Sequence, residues 1–180
     1  MDYKKPHIPK FRRLASYLRK RANDIALTHV EAFAEHEAEG FRQSILRQDF
    51  RSFHAFPLKP VTLARKRRAG VDLRVMIATH TYVDSIRVFR TLNRTAPKGA
   101  RFRIGFHPKK RARDYEGRIT DILLSDVAMI HEHGSVSASI PARPHWGPHR
   151  VGMVRRAVGV RQAIKKQVLA VVKRELRKVL

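Results

Sequence analysis

The chain contains no cysteine, which excludes a disulfide framework, a thiol nucleophile and thiolate metal ligation. Acidic residues are scarce, 15 Asp and Glu against 39 Lys and Arg, leaving a formal net charge of +24 with histidine neutral. A surplus of that size attracts polyanions. No run of residues approaches the roughly 18–20 consecutive apolar positions that a membrane span requires. Residues 1–13 lack the apolar stretch of a signal peptide, which predicts a soluble chain made in a cytoplasm. There is neither a glycine-rich phosphate loop nor a nucleophile elbow around any serine.

What is present is apolar material for a core: 43% of the 180 residues are hydrophobic, enough to make disorder of most of the chain untenable. The length suits one domain. Its expected parts are an N-terminal helical arm over 1–55, an α+β core over 56–146 and a C-terminal helix over 147–180. The charge is uneven. Residues 1–50 carry 10 basic and 7 acidic side chains, 51–118 carry 18 and 4, and 119–180 carry 11 and 4, so the excess is concentrated in the middle.

Phe11, Leu14, Leu18, Ile25, Val30, Phe33, Phe41 and Ile45 recur at mostly helical spacing, predicting one long helix or two separated near Gly40. An acidic patch of Glu31, Glu35, Glu37 and Glu39 either forms a solvated face or meets a basic surface on a neighbouring subunit. Pro57 and Pro60 break the chain before a short helix over 61–69, ended by Gly70. Ile86 and Val88, then Phe102, Ile104 and Phe106, alternate with polar residues and predict half-buried strands joined by a connection over 93–100. Residues 107–117 read as an exposed basic loop and 119–124 as a third strand. A short helical turn carries Val127, Met129 and Ile130, and Ile140 starts a brief strand. From Val154 onward a helical apolar pattern predicts a final helix, bent near Gly159, whose other face is basic. The sum is an α+β fold: a long N-terminal helix, a small antiparallel sheet in the middle and a long basic C-terminal helix.

The densest set of potential ligands is His131, Glu132, His133, His145 and His149. Two imidazoles share a helical face at i, i+4, whereas His131 and His133 are two apart, so the spacing does not make a zincin site. No catalytic residue, metal site or cofactor is expected. A better signal is basic residues interleaved with aromatics: Arg101 and Arg103 around Phe102, then Lys109, Lys110, Arg111 and Arg113, and on the last helix Lys173, Arg174, Arg177 and Lys178. These are candidate DNA or partner contacts. Pleat alternation puts Phe102 and Phe106 opposite the arginines, as core rather than base-stacking platforms.

Four ordered fragments resemble the virion-morphogenesis, or tail-completion, proteins of tailed bacteriophages. They are Pro57-Leu58-Lys59-Pro60-Val61-Thr62-Leu63-Ala64-Arg65-Lys66-Arg67, Ile77-Ala78-Thr79-His80-Thr81-Tyr82-Val83-Asp84-Ser85-Ile86-Arg87-Val88, Val127-Ala128-Met129-Ile130-His131-Glu132-His133-Gly134, and Ile140-Pro141-Ala142-Arg143-Pro144-His145-Trp146-Gly147-Pro148. This chain departs from the family pattern at His80, where the family has glycine and a different backbone turn is therefore expected here. It departs again at His133, where the family has phenylalanine, and at His145-Trp146, where it has Phe-Leu.

The resemblance implies a non-enzymatic structural protein of the virion neck, assembled in the host cytoplasm. It would form a homo-oligomeric ring, sixfold to match a tail tube, at the head-proximal end of the tail. Implied partners are the tail tube or tail terminator, the head connector and the tape measure, with non-specific contact to genomic DNA and none to membrane. Motif residues then take structural roles: Thr79 and Ser85 order the start of a strand, Gly134 makes a turn, and Pro141, Arg143 and Pro144 form a rigid connection into the last helix. The competing expectation is a sequence-independent RNA- or DNA-binding protein, such as a ribosome-associated factor.

Overall fold

The computed structural model describes residues 8–77, 79–92 and 100–178. The connection expected over 93–100 lies, apart from Ala100, outside them. The order of elements is α1 (Ile8–Leu46), α2 (Arg51–Ala55), α3 (Pro60–Arg68), α4 (Thr81–Asp84), β1 (Arg87–Leu92), β2 (Ala100–Gly105), β3 (Arg111–Arg113), β4 (Ile119–Leu123), α5 (Leu124–His133) and α6 (Trp146–Leu176). The architecture is α+β, with long helices at both ends of the chain and the strands between them.

The first helix runs unbroken through Gly40 for 39 residues, settling the choice between one helix and two. It ends where Gln48 takes a left-handed φ of 60°. The amide N–H of Asp49 donates to Ser44 O at 2.9 Å and that of Gln48 to Ile45 O at 3.0 Å, the paired bonds of a Schellman cap. Glycine is the usual residue at such a position because Cβ strains it. Here the Gln48 side chain compensates: its amide donates to Val75 O (3.2 Å) and accepts from Val75 N–H (3.0 Å). The same cap closes α3, where Gly70 has φ 63° and Val71 N–H reaches Lys66 O. Pro60 opens α3 at its first position, where its missing N–H has no intrahelical acceptor to lose.

The core gathers around the last turns of α1. Phe41 and Ile45 pack with Phe53, Val75, Ile77, Tyr82, Val83, Ile86, Phe106, Leu124 and Ala128, so the end of the N-terminal arm is itself core. Each fully buried large side chain contributes roughly 1.5–3 kcal/mol over exposure. The remainder of α1 lies antiparallel against α6. Their contacts include Glu37 with Arg156 and His29 Nε2 with Gln167 Oε1 at 2.5 Å. Away from the core this two-helix arm leaves Phe11, Tyr17, Val154, Val158 and Leu169 exposed.

The strands form two separate two-stranded sheets rather than one. β1 and β2 pair antiparallel from Arg87↔Gly105 to Leu92↔Ala100. Phe102 is half-buried and Phe106 buried, while Arg101 and Arg103 face solvent, as pleat alternation predicts. The basic stretch 107–117, expected as a loop, contains β3, which pairs with β4. Its strand signal is weak because only Ala112 is turned inward, between two exposed arginines. The expected short turn around Val127 is a ten-residue helix, α5. The expected strand at Ile140 reduces to a single bridge with Ser135.

His80, at the glycine position of the resembling fragment, has φ 57° and ψ −10°. This is the left-handed region, which glycine enters without strain and which a histidine occupies here. Asp72 lies 3.9 Å from its Nε2.

Candidate functional site

Helix α6 begins without a side-chain cap from its own N-cap residue, His145. Its first amides are satisfied from α5 instead. Glu132 Oε2 accepts from His145 N–H (2.9 Å) and Trp146 N–H (3.0 Å), and Oε1 accepts from Gly147 N–H (2.9 Å). The next residue, Pro148, has no N–H, so one carboxylate answers every orphan donor of that turn. Negative charge there also opposes the positive end of the helix dipole. Burial pushes the Glu132 carboxyl up, but the three amides outweigh it and hold it below the ordinary glutamate value. A Cβ on Gly147 would stand 2.8 Å from Glu132 Oε1, which gives this glycine a steric reason.

Around the cap the motif residues interlock. His145 is fully buried. Its Nδ1 lies 3.0 Å from Arg143 O and its Nε2 2.7 Å from the Tyr82 hydroxyl. A carbonyl only accepts, so the proton sits on Nδ1, Nε2 accepts from Tyr82, and Trp146 Nε1–H donates to the Tyr82 oxygen at 3.0 Å. Burial holds His145 below the ordinary histidine value and raises Tyr82. Arg143, also buried, donates to Phe56 O (2.6 Å) and Pro57 O (3.1 Å), and Ser52 Oγ donates to Pro144 O at 2.7 Å. Pro141, Arg143 and Pro144 thus form a fixed strap into α6. Gly134, with φ 77°, ends α5 where a Cβ would meet Ala142 N at 2.9 Å. Thr79 Oγ1 bonds Thr81 Oγ1 at 3.0 Å ahead of α4, and Ser85 closes that helix.

The histidines do not converge as a ligand set. Among the described residues, no three of His, Asp and Glu are grouped to hold a metal. His133 is exposed, whereas His131 is pressed to about 4 by burial, with the nearby positive groups acting in the same direction. His149 packs on Phe41, ring centroids 4.5 Å apart, and burial lowers it too.

The candidate contact residues are all exposed, yet they do not form one patch. Arg111 is paired with Asp121, and Arg113 donates to Gly117 O, so both brace the β3–β4 turn. Arg103 covers the Phe89 ring at 5.8 Å. Lys109 and Lys110 form the exposed turn before β3. Arg174 and Lys178 pair with Glu175 at 3.0–3.1 Å. Lys173 and Arg177 lie at the same end of α6, roughly 40 Å along its axis from Trp146 at 1.5 Å per residue. Basic charge is therefore displayed at both ends of the molecule.

The acidic patch of α1 is divided as well. Glu37 is buried against α6 of its own chain, with Arg156 Nε and Nη2 at 2.7 and 2.6 Å. For Glu37 the partner is thus neither solvent nor a neighbouring subunit, the two alternatives expected for the patch, but a helix of the same chain. Glu39 pairs with Arg42 within α1, leaving Glu31 and Glu35 exposed. Sequence reasoning missed Glu132, Gln48 and Lys66 as organising residues. Their partners lie outside the short spacings in which caps and ion pairs are recognisable.

No family model, curated protein or solved structure matches this chain.

Proposed function

We propose that this chain is a non-enzymatic structural subunit of a bacteriophage neck, closing the head-proximal end of the tail and joining it to the head connector as a homo-oligomeric ring. The observation that carries the reading is the meeting of all four resembling fragments at one place. Pro57 accepts from Arg143, Tyr82 bonds His145 and Trp146, and Glu132 caps the helix that Trp146 begins. Fragments that resemble a family separately thus act here as one unit. The exposed apolar side chains along the α1–α6 arm supply lateral contact surface for a ring. Basic charge at both ends suits DNA in a channel on one side and an acidic ring on the other.

The test is electron microscopy of particles and free tails carrying a labelled copy of the protein. A ring of label at the head-proximal end of the tail supports the proposal. Label absent from particles, with the protein recovered on RNA or DNA in a steeply salt-dependent manner, overturns it in favour of sequence-independent nucleic-acid binding.

A further inference from the structure

A cavity of about 360 Å³ opens between α3, β3, α5 and the strap that leads into α6. Lys59, Lys66, Arg113, Arg143 and His131 contribute to its lining, which contains no Asp or Glu among the described residues. Two of these cations are buried, Lys66 at 3% exposure and Arg143 at 4%. Among the described residues neither forms an ion pair with a carboxylate, and their hydrogen bonds go to backbone carbonyls. Lys66 Nζ donates to Asp72 O (2.7 Å) and Arg74 O (2.6 Å), and Arg143 donates to Phe56 O and Pro57 O. The Asp72 carboxylate, whose charge acts on Lys66, is itself occupied by Arg74 through both oxygens. Buried cations held only by carbonyl dipoles leave a positive field that favours an anion.

The rest of the lining mixes apolar side chains such as Leu58, Met76, Leu124 and Val127 with uncharged polar ones, three threonines, Ser139 and two tyrosines. His131 also lines the cavity, and its Nδ1 has no hydrogen-bond partner. The volume corresponds to about a dozen waters at roughly 30 Å³ each, the small end of the ligand-pocket range.

We propose that this cavity is a binding site for a carboxylate carried on a compact apolar body, with the carboxylate supplying the counter-charge that Lys66 and Arg143 lack. Such a group is found both in a free aryl or alkyl acid and in the C-terminus of a polypeptide ending in an apolar residue. The site is independent of the neck reading, since it rests on the lining alone.

The test is calorimetric and NMR titration of the full chain with 4-phenylbutyrate and with N-acetyl-leucyl-phenylalanine, each beside its uncharged amide. Saturable binding of either acid, at least roughly tenfold tighter than its amide and shifting the backbone resonances of Lys66, Thr79 and His131, supports the site. Whichever acid binds more tightly identifies the source. Thr62→Glu places a resident carboxylate on the wall and is expected to abolish binding while the chain stays folded. Lys66→Met is expected to weaken binding by at least roughly tenfold. Equal binding of acid and amide, equal binding of inorganic phosphate, or no binding of either acid overturns the proposal.

Discussion

Removing the Glu132 carboxylate tests whether one side chain of α5 holds the start of α6. Glu132→Ala strips the acceptor from three amides, those of His145, Trp146 and Gly147. A hydrogen bond to a charged group contributes roughly 1.5–3 kcal/mol, and leaving a buried donor unpaired has a similar penalty. The three do not add, because Gly147 is exposed and water replaces its bond, whereas His145 is fully buried. A loss of about 3–4 kcal/mol is expected, or roughly 6–16 °C in Tm for a chain of this size. Glu132→Gln keeps an acceptor without the charge and is expected to lose about 1–2 kcal/mol. The sharper test is a cycle with Gly147→Ala. In the native background the added methyl, 2.8 Å from Oε1, displaces the carboxylate and destabilises. With Glu132 already replaced by alanine the clash is gone, and the same substitution becomes neutral or stabilising by about 0.5 kcal/mol through helix propensity. Urea midpoints of the four proteins at constant m decide the matter. If Glu132→Ala shifts stability by less than about 0.5 kcal/mol, or Gly147→Ala has the same effect in both backgrounds, the cap does not anchor the helix.

Stability is expected to fall as the pH drops from about 6.5 towards 4. A histidine whose folded pKa is depressed takes up its proton more readily when unfolded. For His131, lowered from 6.5 to about 4, full loss is worth about 3 kcal/mol. His145 and His149 act in the same direction, and Asp72, held near 2 by Arg74, adds its loss only below that window. A urea midpoint unchanged between pH 7 and pH 4.5 would contradict the burial of these rings. Arg156→Ala leaves the buried Glu37 carboxylate with only imidazoles near it, His149 Nε2 at 3.5 Å and the more distant His36, among the described residues, and is expected to destabilise by about 2–3 kcal/mol; a change under about 0.5 kcal/mol would show that water replaces the pair without penalty. Lys109→Glu with Lys110→Glu is expected to leave thermal stability within about 0.5 kcal/mol and, on the neck reading proposed above, to impair head–tail joining; unchanged yields of infectious particles would remove this turn from that reading.

The helices were legible because long apolar periodicities and proline or glycine punctuation are local signals. α1, α3 and α6 each carry one. β3 was hidden because Arg111, Ala112 and Arg113 turn two charged side chains to solvent and only a methyl inward, so its pattern resembles a loop. The small sheets were legible as strands but not as two units, since pairing depends on Leu124 N–H reaching Lys110 O and on the turn at Gly117. Glu132 stands 13 residues from the amide of His145, and Gln48 stands 27 from Val75. Rules built on spacings of three or four residues do not reach that far. His80 shows the same limit from the other side: its left-handed backbone, φ 57°, has no glycine to signal it.

A cluster rich in histidine and glutamate invites a chemical reading, and the geometry directs it elsewhere. His145 has both ring nitrogens engaged and no exposed surface, while Glu132 has both oxygens committed to amides. Groups so fully employed in holding α5, α4 and α6 together offer little to a ligand. The groups that remain available are of two kinds: exposed cations and apolar side chains at the ends of the molecule and along its arm, and buried cations whose partners are only dipoles. The first kind suits large charged surfaces, where many weak contacts sum. The second suits one small anion, for which desolvation has already been met by the fold. Interaction at this protein is therefore expected from its exposed cations and from Lys66 and Arg143, whose hydrogen bonds reach only carbonyls, with the interlocked motif setting where they stand.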